Sequence, residues 1–233
     1  MSVVRLSEVN KVYEGVQPVH ALQDIRLSIE PGEFTAIVGP SGSGKTTLLN
    51  VIGGLDRPTS GSVVINQTDI VSLSENALID FRLKNIGFVF QAYNLIPVLT
   101  AEENVEFTML LQGKSKQERH ARVRELLQAV GLGERSANRP GQLSGGQQQR
   151  VAVARALAPK PRFVLADEPT ANLDSQSAAT LLDIMAELNQ REGITFIFST
   201  HDHRVIERAR RVITLEDGKI LSDVAQTPAV SGH

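Results

Sequence analysis

Eight consecutive residues constrain this chain more than any others: Gly39, Pro40, Ser41, Gly42, Ser43, Gly44, Lys45 and Thr46. They follow an apolar run (Phe34, Ala36, Ile37, Val38) that reads as a buried strand, and they precede Thr47–Ile52, which reads as a helix. Strand, glycine-rich loop and helix in that order make G-x-x-x-x-G-K-[ST] a phosphate-binding P-loop. Glycines let the backbone curl until successive N–H groups face one centre, and the helix N-terminus adds partial positive charge. Lys45 can reach terminal phosphates, and the Thr46 hydroxyl can ligate Mg²⁺. The plainer reading is a flexible Gly/Ser turn, and the flanking strand and helix argue against it. Nucleotide binding is therefore the first expectation.

A chain of 233 residues accommodates one large α/β domain or a core with an inserted lobe, and 41% hydrophobic residues suffice for a core. The net charge of −2 and pI near 6.2 give no basic footprint, so no nucleic-acid partner is expected. The local clusters Arg119, Arg122, Arg124 and Arg204, Arg208, Arg210, Arg211 read as solvated helix faces and strand edges. The absence of cysteine excludes disulfide and thiol chemistry. Met1 runs directly into strand-like sequence without a signal peptide, and no apolar run reaches the ~18 residues of a membrane span. A soluble chain is expected, reaching a membrane only through a partner.

Near-alternation at Val4, Leu6 and Val9, and again at Ile25, Leu27 and Ile29, predicts two half-buried antiparallel strands. Between them stands Tyr13, which either stacks on an adenine ring or is a half-buried strand-end tyrosine. Phe88-Val89-Phe90-Gln91 reads as a buried strand whose exit glutamine can line a site and contact Mg²⁺ or water. Thr100 with Glu103, and Ser115 with Glu118, form capping boxes, and Gly131 suits a helix stop, so residues 94–140 look like an inserted helical lobe. Ser144-Gly145-Gly146-Gln147 forms a third capping box. Two glycines in its first turn cost helix propensity for no packing gain, and they suit a second anion-binding helix end. Phe163–Ala166 is a continuous apolar run, as in a buried parallel strand, that ends in Asp167 and Glu168. Asp167 suits the Mg²⁺ shell, and Glu168 is the candidate to polarise water. A helix carrying Leu181, Leu182, Met185 and Leu188 stops at Gly193, and the strand Ile194–Phe198 then exits into His201. Ligands of parallel sheets bind at carboxyl ends of strands, so Gln91, Asp167, Glu168 and His201 should converge near the P-loop. Val212–Ile220 reads as a closing hairpin with an Asp-Gly turn, and residues 222–233 as a loose tail.

These residues together resemble the ATPase subunit of ATP-binding cassette (ABC) transporters. Gly39–Thr46 matches the Walker A motif, Gln91 the Q-loop, Leu143–Gln147 the signature motif and Phe163–Glu168 the Walker B motif with its glutamate. Ala171–Asp174 resembles the D-loop, with alanine where many members carry Ser or Gly, and His201 resembles the switch histidine. The resemblance covers residues 3 to 221. It implies an α/β fold: a P-loop (RecA-like) core (1–93 and 160–221) with a small antiparallel β subdomain, and an inserted helical subdomain (94–159) bearing the signature motif.

It also implies the roles. ATP would be bound by Tyr13, Gly39–Lys45, Thr46 and Thr47, and in trans by Ser144, Gly145, Gly146 and Gln147 of a second copy. Mg²⁺ would be held by Thr46, Gln91 and Asp167. Glu168, His201, Gln91 and Lys45 would serve hydrolysis, and Asp174 communication across a head-to-tail homodimer. Ile86–Pro97, Leu99–Val105 and Gly54–Gly61 are similar to the lipoprotein-releasing and macrolide-exporter branch. That branch implies a transmembrane permease with a large extracytoplasmic domain, a periplasmic adaptor, and a peripheral place on the cytoplasmic face of the inner membrane. The apolar Leu95, Ile96, Val98 and Leu99 would dock the permease or else pack beneath the helical lobe. The same ATPase could serve a membrane-tethered signalling complex of the cell-division type. A soluble DNA-repair or translation cassette fits less well, for want of coiled coils or basic arms.

Overall fold

A computed structural model describes residues 2–226. The P-loop strand β3 (Phe34–Val38) lies inside a six-stranded sheet of order β10-β9-β3-β8-β7-β6. Its companions are β6 (Ile86–Val89), β7 (Phe163–Asp167), β8 (Thr195–Ser199), β9 (Arg211–Glu216) and β10 (Lys219–Ala225). All the pairings are parallel except that of β10 with β9. The central strands are buried along nearly their whole length because both faces of the sheet are covered. Phe34, Val164, Ala166, Phe196 and Phe198 turn into one hydrophobic cluster, and Ile37, Phe163, Leu165 and Ile197 into the other. Successive side chains alternate between faces, so each strand feeds both cores.

The second cluster is closed by a separate four-stranded sheet, β2-β1-β4-β5, and by α1 (Lys45–Ile52). In that sheet β1 (Val4–Tyr13) and β2 (Val19–Ile29) pair antiparallel, as the alternating pattern predicted, and β4 (Ser60–Ile65) and β5 (Thr68–Asp69) extend it. The first cluster is covered by α3 (Ala101–Leu111), α4 (Lys116–Ala129), α5 (Gly145–Leu157) and α6 (Ser175–Glu192). All three expected capping boxes, at Thr100, Ser115 and Ser144, are formed. Two further helices are short: α2 (Glu75–Asn85), which the sequence pattern did not predict, and α7 (His203–Arg208).

The loose tail expected from residue 222 is corrected in part. Strand β10 runs on to Ala225, with Asp223, Val224 and Ala225 opposite Ile213, Val212 and Arg211. The Arg211 guanidinium grips the Asp223 carboxylate through two bonds of 2.7 Å, which gives this polar stretch a reason to stay paired. Residues 227–233 lie outside the described residues. Among the described residues no helix is long and apolar enough to cross a membrane.

Register sets the site. Ile37 pairs with Ser199, Asp167 with Ser199, and Val89 with Ala166, so β3, β8, β7 and β6 end level with one another. Behind that edge, the rings of Phe34, Phe196 and Phe198 form an aromatic group with centroids 4.6–5.9 Å apart. Phe198, fully buried, sits three residues before His201. Phe198→Ala is expected to destabilise the fold by about 3–5 kcal/mol, the usual cost of emptying a buried aromatic site. Denaturant unfolding followed by far-UV circular dichroism measures it; a loss below about 1 kcal/mol would contradict this packing.

Candidate active site

The loop after β3 can turn as it does only with glycine at two positions. Gly39 has φ 151° and Gly44 φ 101°. A Cβ on Gly39 would lie 2.0 Å from the Leu215 carbonyl oxygen, and one on Gly44 would lie 2.4 Å from that of Ala21. Gly44 begins α1 without a side-chain cap, which leaves the first turn's N–H groups for a ligand. The Lys45 ammonium rests on the carbonyls of Gly39 and Pro40 at 2.8 and 2.9 Å.

A cavity of about 910 Å³ opens over this loop. Its wall contains Tyr13, Gly39–Gly42, Gly44–Thr47, Gln91, Glu168, Ala171 and His201. Ser43 lies beneath it, buried, with its hydroxyl lacking a hydrogen-bond partner. Asp167 faces the loop from the end of β7, its Oδ1 accepting from the Thr46 hydroxyl at 3.2 Å. The expected convergence of four polar strand exits therefore occurs. The wall also includes Val19, His20, Ala21 and Gln23 of β2, and Asp217 from the β9–β10 turn. Sequence reading missed these, since the Asp-Gly turn registers only as a hairpin and no motif spans residues 19–23.

Glu168 stands at the centre of a polar network. Its backbone is held at φ 45°, a sparsely populated region for a non-glycine residue, while its N–H donates to the Ser199 carbonyl at 2.8 Å. The carboxylate meets His201 Nδ1 at 2.7 Å and accepts from the Thr200 hydroxyl at 3.3 Å. A second link fixes the same two segments. The buried Thr170 hydroxyl donates to Asp202 at 2.7 Å, and Asp202 also receives a forked contact from Arg204. Glu168 and His201 are thus bracketed by contacts on both sides.

The residues fit a hard cation shared with phosphate. The Thr46 hydroxyl and Asp167 carboxylate are oxygen donors on one side of the cavity, with Gln91 on its wall. Among the described residues no three His, Cys, Asp or Glu side chains converge on a metal position.

Ser144–Gln147 lies elsewhere: among the described residues it forms no part of this cavity's wall. The Ser144 hydroxyl accepts from the Gln147 N–H, and the Gln147 side chain accepts in return from the Ser144 N–H. The glycines here do have a packing role, contrary to the sequence reading. A Cβ on Gly146 would lie 2.7 Å from the Ser177 hydroxyl, and one on Gly145 2.8 Å from that of Tyr93. Asp174 caps α6 by accepting from the Ser177 N–H at 2.9 Å.

Helix α5 also reaches the Gln91 loop. Gln149, buried, donates to the carbonyls of Phe90 and Pro169, and Arg155 to those of Tyr93 and Asn94. Further along, Asn104 holds residues 96–100, receiving the Ile96 N–H and donating to the carbonyls of Ile96, Leu99 and Thr100. The apolar stretch divides accordingly. Leu95 packs on the core, Ile96 and Leu99 are half-buried, and Val98 is 72% exposed. Beside it runs a groove of about 470 Å³ that includes Leu55, Ile79, Phe88, Phe90, Ile96 and Phe107.

Comparison with known proteins points in one direction. The family model described as ABC transporter matches residues 22–171. An uncharacterized ABC transporter ATP-binding protein of Bacillus subtilis, YvrO, is 48% identical over 222 residues, 95% of this chain and 96% of that protein. The macrolide export ATP-binding/permease protein MacB of Mannheimia succiniciproducens is 46% identical over 229 residues. That match takes in 98% of this chain but only 36% of the relative's length. Among solved structures, the dimeric post-hydrolysis state of the ATP-binding cassette MJ0796 bound to ADP and Pi superposes with a TM-score of 0.87 at 45% identity. The match spans 95% of this chain and 98% of that one.

The Asp202 link makes a pH-dependent contribution. Burial pushes its carboxyl up, but the Arg204 guanidinium and the Thr170 hydroxyl outweigh that and hold it at about 2, below the ordinary 3.8. A depressed folded-state pKa stabilises the fold above the unfolded value and ceases to do so as pH falls through the folded one. Allowing for solvent screening at this half-open site, the contribution is about 1 kcal/mol. Urea unfolding should show Asp202→Asn less stable than wild type by that margin at neutral pH. The gap should close as pH falls from about 4 to about 2; a pH-independent gap would refute the link.

Proposed function

The chain belongs to the ABC transporter family and is an ATPase, and on that premise we propose that it drives a membrane permease of the lipoprotein-release or macrolide-export type. One observation carries the reading. The cavity over the P-loop gathers Lys45, Gln91, Glu168 and His201, while the second anion-binding helix end, at Ser144, lies outside it. Two such half-sites on one chain suit a head-to-tail pair of copies, each Ser144 helix end closing the other's nucleotide. The related MJ0796 cassette is dimeric with ADP and Pi bound, which supports this arrangement.

The chemistry follows from the contacts. The P-loop N–H groups and Lys45 bind the β- and γ-phosphates, and Tyr13 stacks on the base. Mg²⁺, held through Thr46, Asp167 and Gln91, would neutralise charge developing on the phosphates. Glu168 takes the proton of the water that attacks the γ-phosphorus, and His201 orients that carboxylate through the 2.7 Å contact. Asp174 faces the second copy. Closure around ATP and reopening after hydrolysis give the two states that a permease can follow.

The permease reading draws on MacB, whose name joins ATP-binding and permease functions and of which this chain spans about a third. We assign the permease contact to the groove at Ile96, where Leu55, Ile79 and Phe107 are exposed apolar residues. A short cytoplasmic helix of the permease laid into it would keep this chain on the cytoplasmic face of the inner membrane.

Glu168→Gln is expected to retain ATP binding, to lose at least about 100-fold in turnover, and to accumulate as an ATP-bound dimer in light scattering. Turnover at the wild-type level would sink the assignment. Phe107→Glu should leave the turnover of the isolated chain unchanged and abolish its co-purification with detergent-solubilised membranes. Recovery equal to wild type would move the docking surface elsewhere.

A further inference from the structure

Tyr13 is 41% exposed, and an exposed ring is ordinarily free to change rotamer. This one is tied at its far end. The Tyr13 hydroxyl donates to Asp56 Oδ2 at 2.7 Å. The other carboxylate oxygen accepts from Lys11 Nζ at 2.6 Å, and the same ammonium donates to the Arg57 carbonyl at 2.8 Å. Lys11 Nζ also lies over the Tyr13 ring, 4.8 Å from its centroid. Lys11 and Asp56 are shielded, with 13% and 28% of their side chains exposed.

The triangle joins two parts of the nucleotide site that the chain makes separately. Lys11 and Tyr13 belong to β1, in the antiparallel sheet. Asp56 follows α1, the helix whose first turn carries Lys45 and Thr46, and its N–H donates to the Asn50 carbonyl of that helix at 3.2 Å. Burial pushes the Asp56 carboxyl up, but the Lys11 and Tyr13 donors outweigh it and keep the group ionised. Burial and the bond to Asp56 both raise Tyr13, so its hydroxyl stays a donor.

We infer that Asp56 and Lys11 are positioning residues for nucleotide recognition: they hold the Tyr13 ring as a preformed platform for a planar base, at a fixed distance from the phosphate loop. The cation occupies one face of the ring, and the base takes the other. A ring ordered in advance spares binding the entropy of ordering it. Stacking reads planarity, so the platform strengthens the hold on a base without acting on the phosphates. This gives the Gly54–Gly61 stretch a physical task, since Asp56 is the member of it that reaches Tyr13. The inference rests on the reading of Tyr13 as the base-stacking residue.

The test compares equilibrium binding of Mg-ATP with that of tripolyphosphate, which has no base, to the full chain and to Tyr13→Ala, Asp56→Ala and Lys11→Met. Asp56→Ala and Lys11→Met should weaken ATP binding by about three- to tenfold and leave tripolyphosphate unchanged, with Tyr13→Ala weakening ATP at least as much. Equal weakening of both probes in Asp56→Ala and Lys11→Met would mean a merely structural loop and overturn the inference. So would wild-type ATP affinity in both, with Tyr13→Ala impaired; that result leaves Tyr13 stacking intact. Wild-type ATP affinity in Tyr13→Ala would instead remove the stacking reading and the platform with it.

Discussion

The fold depends on how closely the phosphate loop is wedged between two sheets. Leu215, on β9, presses its carbonyl oxygen against the Gly39 position, and Ala21, on β2, does the same at Gly44. The junction is sewn by backbone bonds from Gly218 N–H to the Ser43 carbonyl and from Gln23 N–H to the Gly218 carbonyl. Any side chain at residues 39 or 44 would drive the sheets apart, quite apart from any ligand. The glycines that phosphate chemistry requires are therefore the ones the tertiary structure requires. That coincidence lets one short loop serve as both anchor and binding site.

The two glycine-bearing helix starts of this chain, at α1 and α5, are finished differently. At α1 the preceding glycine offers no side-chain oxygen, so the first-turn donors remain for phosphate. At α5 the Ser144–Gln147 capping box satisfies two groups internally, and the glycines lie against Ser177 and Tyr93. Ser177 is the donor that Asp174 caps. The α5 end is consequently packed closely against the start of α6.

Much of this was legible in the sequence, because it rests on local patterns. Phosphate loop, capping boxes and buried strands each leave a signature of spacing. Gln91, Asp167, Glu168 and His201 were found because strand exits in a parallel sheet share one edge, and register then aligned them. Helix α2 escaped notice since Leu78 is its only buried residue, leaving no apolar periodicity to detect. The continuation of β10 past the predicted hairpin escaped since its burial pattern is almost wholly exposed, and what pairs it is β9 with the Arg211–Asp223 contact. The packing role of Gly145 and Gly146 depends on Tyr93 and Ser177, far off in sequence, and spacing carries no trace of such a contact. The apolar run at residues 95–99 could not be resolved from spacing because it divides between environments: Leu95 packs against the core and Val98 is at the surface.

The routing of α5 side chains has a mechanical consequence. Gln149 binds the carbonyl before Gln91 and the carbonyl of Pro169, which follows Glu168. Arg155 binds the two carbonyls that follow the Gln91 segment, at residues with positive φ that lack regular ladder bonds. Burial pushes the Arg155 guanidinium down, yet a charged donor sharing two carbonyls remains a strong tether. Helix α5 therefore grips both the loop around Gln91 and the segment after Glu168, while its own first turn carries the Ser144–Gln147 capping box. Under the dimer closure proposed above, a displacement of that first turn would reach the segments of Gln91 and Glu168, because the same helix holds both. The groove at Ile96 and Phe107 is lined by Asn94 and Arg155 as well, so the tether forms part of its wall.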